Sequence, residues 1–136
     1  MNLDVSGGKM WQKQMAYAVG MFMLKETLPR IRKLDVVIRL TDLKGVADGY
    51  CHPVEDRLYI VEVEKRLKLK EFVRTICHEF VHVKQFVKKE MEMSDKVRWK
   101  NTTYGYGTAY SRMPWEKEAF RLQEVFTERV FDEEII

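Results

Sequence analysis

The segment from Lys68 to Glu90 constrains the fold of this chain more than any other. Advancing about 100° per residue from Leu69, the side chains of Leu69, Phe72, Val73, Ile76, Phe80, Val83 and Val87 fall within about 60° of one direction. That pattern predicts an amphipathic helix pressed onto a core. On the same wheel His78 lies near 180° and His82 near about 220°, opposite the aliphatic stripe. This placement excludes histidines hydrogen-bonded in passing within the core. What remains is either a solvated polar face, shared with Glu71 and Lys89, or a site.

The rest of the chain supplies partners for that helix. From Met10 to Leu28 apolar residues cover most of a helix circumference, and Pro29 stops the pattern. "LDVVIRL" (34–40) is short and β-branched. "VADGYCH", Pro53, the turn "VEDR" and the alternating "RLYIVEV" read as further strands, giving two or three antiparallel strands in all. Residues 93–113 show weak periodicity and read as a long loop. Pro114 opens a C-terminal helix in which Trp115, Ala119, Leu122, Phe126 and Val130 share a face. Residues 1–9 read as a loose leader and 132–136 as a frayed tail. Together these predict one α+β domain over 1–136: a small antiparallel or mixed sheet packed on the central helix, with an N-terminal and a C-terminal helix.

Composition narrows the function classes. With 46% hydrophobic and 33% charged residues the chain reads as globular. A net charge of +3 without a long basic stripe gives no reason to expect nucleic acid. The densest basic cluster, Lys65, Arg66, Lys68 and Lys70, reads as a solvated turn between a strand and the central helix. Two cysteines, Cys51 and Cys77, are too few for a disulfide framework, and Cys77 within the helix reads as a small buried residue. The apolar stretch Met15–Leu24 is too short to span a bilayer and lacks a cleavage site after it, so a cytoplasmic, non-membrane protein is expected. Nothing in the sequence fixes an oligomeric state.

The histidines carry a sharper signal. His78-Glu79-x-x-His82 has the spacing of a zinc-binding helix with a built-in general base, and chance alone would produce it in roughly 0.7% of chains of this composition. Histidines at i and i+4 project about 40° apart and can share one ion. Glu79 points about 60° from His82 and about 100° from His78, so its carboxylate can approach a water on the ion without binding the ion. A site that activates water needs three protein ligands and one open position. No histidine follows His82. A carboxylate must therefore serve, and "PWEKEAF" offers Glu116 and Glu118. Both lie about 80° from the centre of that helix's apolar face, on opposite flanks, so helical geometry does not choose between them.

The combination resembles the gluzincins, the thermolysin-like metallopeptidases. In size, and in the run "HEFVHVKQF…PWEKEAF", it is most similar to the compact minigluzincins and to phage-encoded metallopeptidases, over roughly residues 34–130. The resemblance implies a zincin-like fold holding one Zn2+ per chain, a peptide or protein substrate, and Glu79 as general base. It also implies Glu116 as third ligand, because Glu116 begins a Glu-x-x-Ala setting ending at Ala119 and follows Trp115. The strand "LYIVEV" would be an edge strand beside the cleft. A tyrosine would steady the oxyanion, and Tyr110 is nearest the ligand helix among Tyr104, Tyr106 and Tyr110. One position departs from the pattern. Thermolysin-type enzymes carry an aspartate four residues after the ligand glutamate to orient a zinc histidine, and here that residue is Phe120.

A rival reading uses Cys51 and His52. With His78 and His82 they could complete a closed tetrahedral site without an open position. The protein would then be a non-catalytic, zinc-stabilised binding module, of the kind a phage might use to engage a host protein.

Overall fold

The computed structural model describes residues 1–105 and 113–136. Its elements are β1 (Asn2–Ser6), α1 (Met10–Thr27), β2 (Asp35–Thr41), β3 (Gly49–Glu55), β4 (Leu58–Glu64), α2 (Leu69–Val87), β5 (Met91–Met93), β6 (Val97–Trp99), β7 (Thr102–Tyr104) and α3 (Pro114–Asp132). Four strands form one sheet in the order β1-β2-β4-β3. Leu3, Val36, Ile38, Leu40, Tyr59, Val61 and Val63 alternate along three of them and are buried on one face, as period-two side chains require. α1 and α2 cover that face. Where α1 crosses it, a Cβ on Gly20 would approach Leu3, Ile38 and Phe80 to 3.2 Å or less, so glycine allows the close approach. The α+β class read from the sequence holds.

The sheet is mixed rather than antiparallel. β1 and β4 both run parallel to β2, and only β3 is antiparallel to its neighbour β4. The segment read as a loose leader is therefore a strand, with Leu3 opposite Val36 and Val5 opposite Ile38. A five-residue strand with two inward apolar residues is too short for periodicity to reveal, and its pairing depends on α1 as the crossover. Gly7 and Gly8, at φ +78° and +70°, turn the chain from β1 into α1. The expected edge strand also moves. β4 lies inside the sheet and β3 is the edge, which explains why "LYIVEV" is so continuously apolar.

Two helix ends close by the same local device. α2 stops at Val87, where Lys89 adopts φ +58° and the amides of Lys89 and Glu90 donate to the carbonyls of Phe86 and Gln85. The C-terminal tail closes in the same manner: Glu134 has φ +54°, and the amides of Glu134 and Ile135 donate to Phe131 and Val130. These are Schellman closures made with non-glycine residues, which the sequence does not advertise. The tail read as frayed is thus capped, and Ile135 packs against the core.

A second, antiparallel sheet of three-residue strands, β5-β6-β7, begins just before the stretch read as a long loop and continues into it. It seats α3. Trp99 and Tyr104 pack on Trp115 with ring centroids 6.5 and 5.4 Å away.

The basic turn after β4 is exposed, as expected, and it clamps one buried acid. The Glu64 carboxylate accepts from the amides of Leu43 and Arg66, each at 3.0 Å, and from Arg66 Nε at 3.2 Å. The Arg66 guanidinium, with these amides, overcomes the upward push of burial and holds the carboxyl down to about 2. The unfolded value is about 4.3, so the folded state gains stability above that pH and loses it as pH falls towards about 2. Glu64→Gln is expected to flatten the stability profile in that window, as measured by urea midpoints. Parallel acid limbs for the two proteins would contradict the assignment.

Candidate metal centre

α2 is buried on both faces, which removes the reading of its histidines as a solvated face. Phe72, Val73, Ile76, Phe80, Val83 and Val87 enter the core, while Leu69, at 38% exposed, does not join them. On the opposite side His78, Glu79 and His82 are only 6–7% exposed. The face read as a possible solvated surface is instead roofed by α3 and flanked by β3.

Glu116 arrives from the first turn of α3. Its Oε1 lies 3.0 Å from Nε2 of His78 and 3.0 Å from Nε2 of His82. Among the described residues these three offer ligand atoms all within 4.8 Å of one another, a grouping able to hold a metal ion. Glu118, the alternative, faces away. It accepts from Lys84 at 2.8 Å and from Gln85 at 3.1 Å. The choice that helical geometry left open falls to Glu116.

The partner left missing by Phe120 comes from two glutamines. His78 Nδ1 donates to Gln123 Oε1, and His82 Nδ1 donates to Gln85 Oε1, each at 2.7 Å. Gln85 is wholly buried, and its amide nitrogen donates to the Trp115 carbonyl at 3.0 Å and to Glu118. Both of those partners only accept, so the amide orientation is fixed and its oxygen must face the imidazole. Phe120 itself lies edge-on to the His78 ring, 4.8 Å between centroids. Neither glutamine was singled out from the sequence. The available signal was positional: Gln85 falls about 20° from His78 on the α2 wheel, and Gln123 about 20° from Glu116 on that of α3.

This arrangement fits a divalent cation. With each Nδ1 carrying a proton, each Nε2 presents either a lone pair or a second proton towards the Glu116 oxygen. Two lone pairs and a carboxylate would repel. Two imidazoliums whose rings sit 5.0 Å apart would repel by about 3 kcal/mol at an effective dielectric of about 20. One metal ion satisfies all three groups, and His2Glu is a donor set suited to zinc with an open position. Burial pushes the Glu116 carboxyl up, but bonds from His78 and His82 outweigh it and hold it down to about 2. Burial pushes His82 down, and its bond to Glu116 with the charge of Glu79 raises it overall.

Glu79 makes no contact of this kind. It stands beside the cluster under β3, where burial raises its carboxyl pKa despite the opposing influence of His82 and His78. Gly49 makes room for it: a Cβ there would lie 3.2 Å from Glu79 Cγ, 2.7 Å from Thr75 and 2.9 Å from the Glu62 carbonyl. Two cavities open on either side of His78 and Glu79. The smaller, about 310 Å³, is polar, with Asp48, Glu71, Arg74 and Gln123 in its wall. The larger, about 470 Å³, is lined by Tyr50, Cys51, Phe86, Met91, Met93, Val97 and Trp115 together with Glu79, His82 and Glu116.

The remaining candidates lie elsewhere. His52 turns its ring to Glu62, Nε2 to Oε1 2.6 Å, and is not brought to the two histidines. Cys51 lines the larger cavity but is not among the residues whose ligand atoms converge; burial and the charge of Glu79 push its thiol well up. Both cysteines are free. Tyr104 packs on Trp115, and Tyr106 and Tyr110 lie outside the described residues. Among the described residues, no helix is long and apolar enough to cross a membrane. No family model, curated protein or solved structure matches the chain.

Proposed function

We propose that this protein is a zinc-dependent peptide-bond hydrolase of gluzincin type, with one Zn2+ held by His78, His82 and Glu116. The observation that carries this reading is the convergence of two imidazoles and one carboxylate on a point, with a second carboxylate, Glu79, outside that cluster and beside it in an open cleft. Bound zinc would supply Lewis acidity, lowering the pKa of a water towards about 7 and polarising the scissile carbonyl. The chain's own residues do the rest. Glu79, whose carboxyl is raised by burial, takes the proton of the attacking water and is placed to hand it to the leaving amine. β3, an edge of the sheet among the described residues and next to α2, is a strand along which an extended peptide can add.

The competing reading, a zinc-stabilised binding module without catalysis, draws on the way α3 is tied to α2 through the same residues. The two are separated by one assay. Purified protein is expected to carry about one zinc per chain and to cleave members of a quenched peptide library. Chelation should abolish cleavage, and added zinc should restore it. Stoichiometric zinc with no cleavage across the library would favour the binding module.

A further inference from the structure

The sequence departs from the aspartate that orients a zinc histidine, yet His78 does not lack a partner. Gln123 lies seven residues after Glu116 on the same face of α3, and its carbonyl oxygen meets His78 Nδ1 at 2.7 Å. Its amide nitrogen donates to Glu124 at 3.1 Å. Glu124 is in turn held by Arg74 Nε at 2.8 Å, and Arg74 also pairs with Glu71. A series of side chains thus runs from the candidate ligand along the polar cavity wall to the surface. The bond to Glu124, a carboxylate that only accepts, sets which end of the Gln123 amide faces the imidazole.

We infer that Gln123 is a positioning residue of the metal centre: its carbonyl fixes the tautomer and ring plane of His78 so that Nε2 presents a lone pair to the ion. This rests on the reading of His78, His82 and Glu116 as a metal site. Gln123 does for His78 what buried Gln85 does for His82, but it is only half-buried, so it can be changed without opening the core. An amide carbonyl orients the ring while adding no charge. A carboxylate at the same position would orient it equally and add one, whereas an aliphatic side chain would leave the Nδ1 proton without its acceptor.

The test is Zn2+ affinity by chelator competition on the full chain, with the Co2+ absorption spectrum as a second readout. Gln123→Leu is expected to weaken Zn2+ binding about 10–100-fold and to alter the Co2+ bands, with the metal-free protein still unfolding cooperatively. Gln123→Glu is expected to restore both. Zinc affinity in Gln123→Leu equal to that of the unmodified chain would overturn the inference and leave the metal centre standing. So would a Gln123→Glu protein as weak as Gln123→Leu. An unmodified chain that binds no Zn2+ would overturn the metal-centre reading, and this inference with it.

Discussion

Glu79→Gln is expected to lower kcat/KM for peptide hydrolysis by about 10²–10⁴-fold while zinc remains at about one per chain. Metal retention follows from geometry. The candidate ligand atoms come from His78, His82 and Glu116, and Glu79 is not among them. Glutamine keeps the shape that fits beneath Gly49, where the Glu79 Cγ already sits close to the strand backbone, so the fold should survive the change. What glutamine loses is the ability to accept a proton from water. Zinc analysis and peptide kinetics on the same preparation read both halves. Undiminished turnover in a pure sample would remove Glu79 from the role of base, and loss of zinc would place it among the ligands instead.

Glu116→Ala is expected to have the opposite profile, losing zinc, activity and much of the stability together. Glu116 is the candidate ligand that α3 brings to α2. Its removal leaves two imidazoles, which make a poor zinc site. The stabilisation that zinc provides scales with its excess over the dissociation constant, about 4 kcal/mol at a thousandfold excess. For a domain of this size that is a fall in melting temperature of roughly 10–20 °C when the site is lost. The same fall should appear when the unmodified chain is stripped by chelator, and Glu116→Ala should then show no further response to zinc. His52→Ala serves as the control, because its ring is engaged with Glu62. If zinc were lost with His52 and kept without Glu116, the centre would be the closed structural site, and the enzyme reading would fall.

Much of this architecture was legible in the chain because the physics behind it is local. The stripe on α2, the stop at Pro29 and the opening of α3 at Pro114 each follow from residues within a turn or two of one another. The spacing of His78, Glu79 and His82 is equally local. What stayed hidden depended on residues far apart. β1 takes its identity from β2 through α1, so two apolar residues in "NLDVS" could not announce it. β4 became an interior strand because β2 lies along its other side. The meander β5-β6-β7 has strands too short to show a period, and its purpose is visible only with Trp115 resting on it. The glutamines were missed for a different reason. A glutamine on a helix is ordinarily a solvated residue, and nothing local marks Gln85 or Gln123 as acceptors for an imidazole proton. The site itself lies between these cases, since Glu116 and Glu118 are equivalent on a helical wheel and separate only when α3 is docked.

The seat of α3 has an optical consequence. The chain contains three tryptophans. Trp11 is exposed on α1, whereas Trp99 and Trp115 are buried against each other, and Trp115 immediately precedes the candidate ligand Glu116. Any lifting of the first turn of α3 would admit water to that indole pair and move its emission to the red, over a steady background from Trp11. The protein therefore carries an intrinsic fluorescent gauge of whether its last helix is seated, readable without label or substrate.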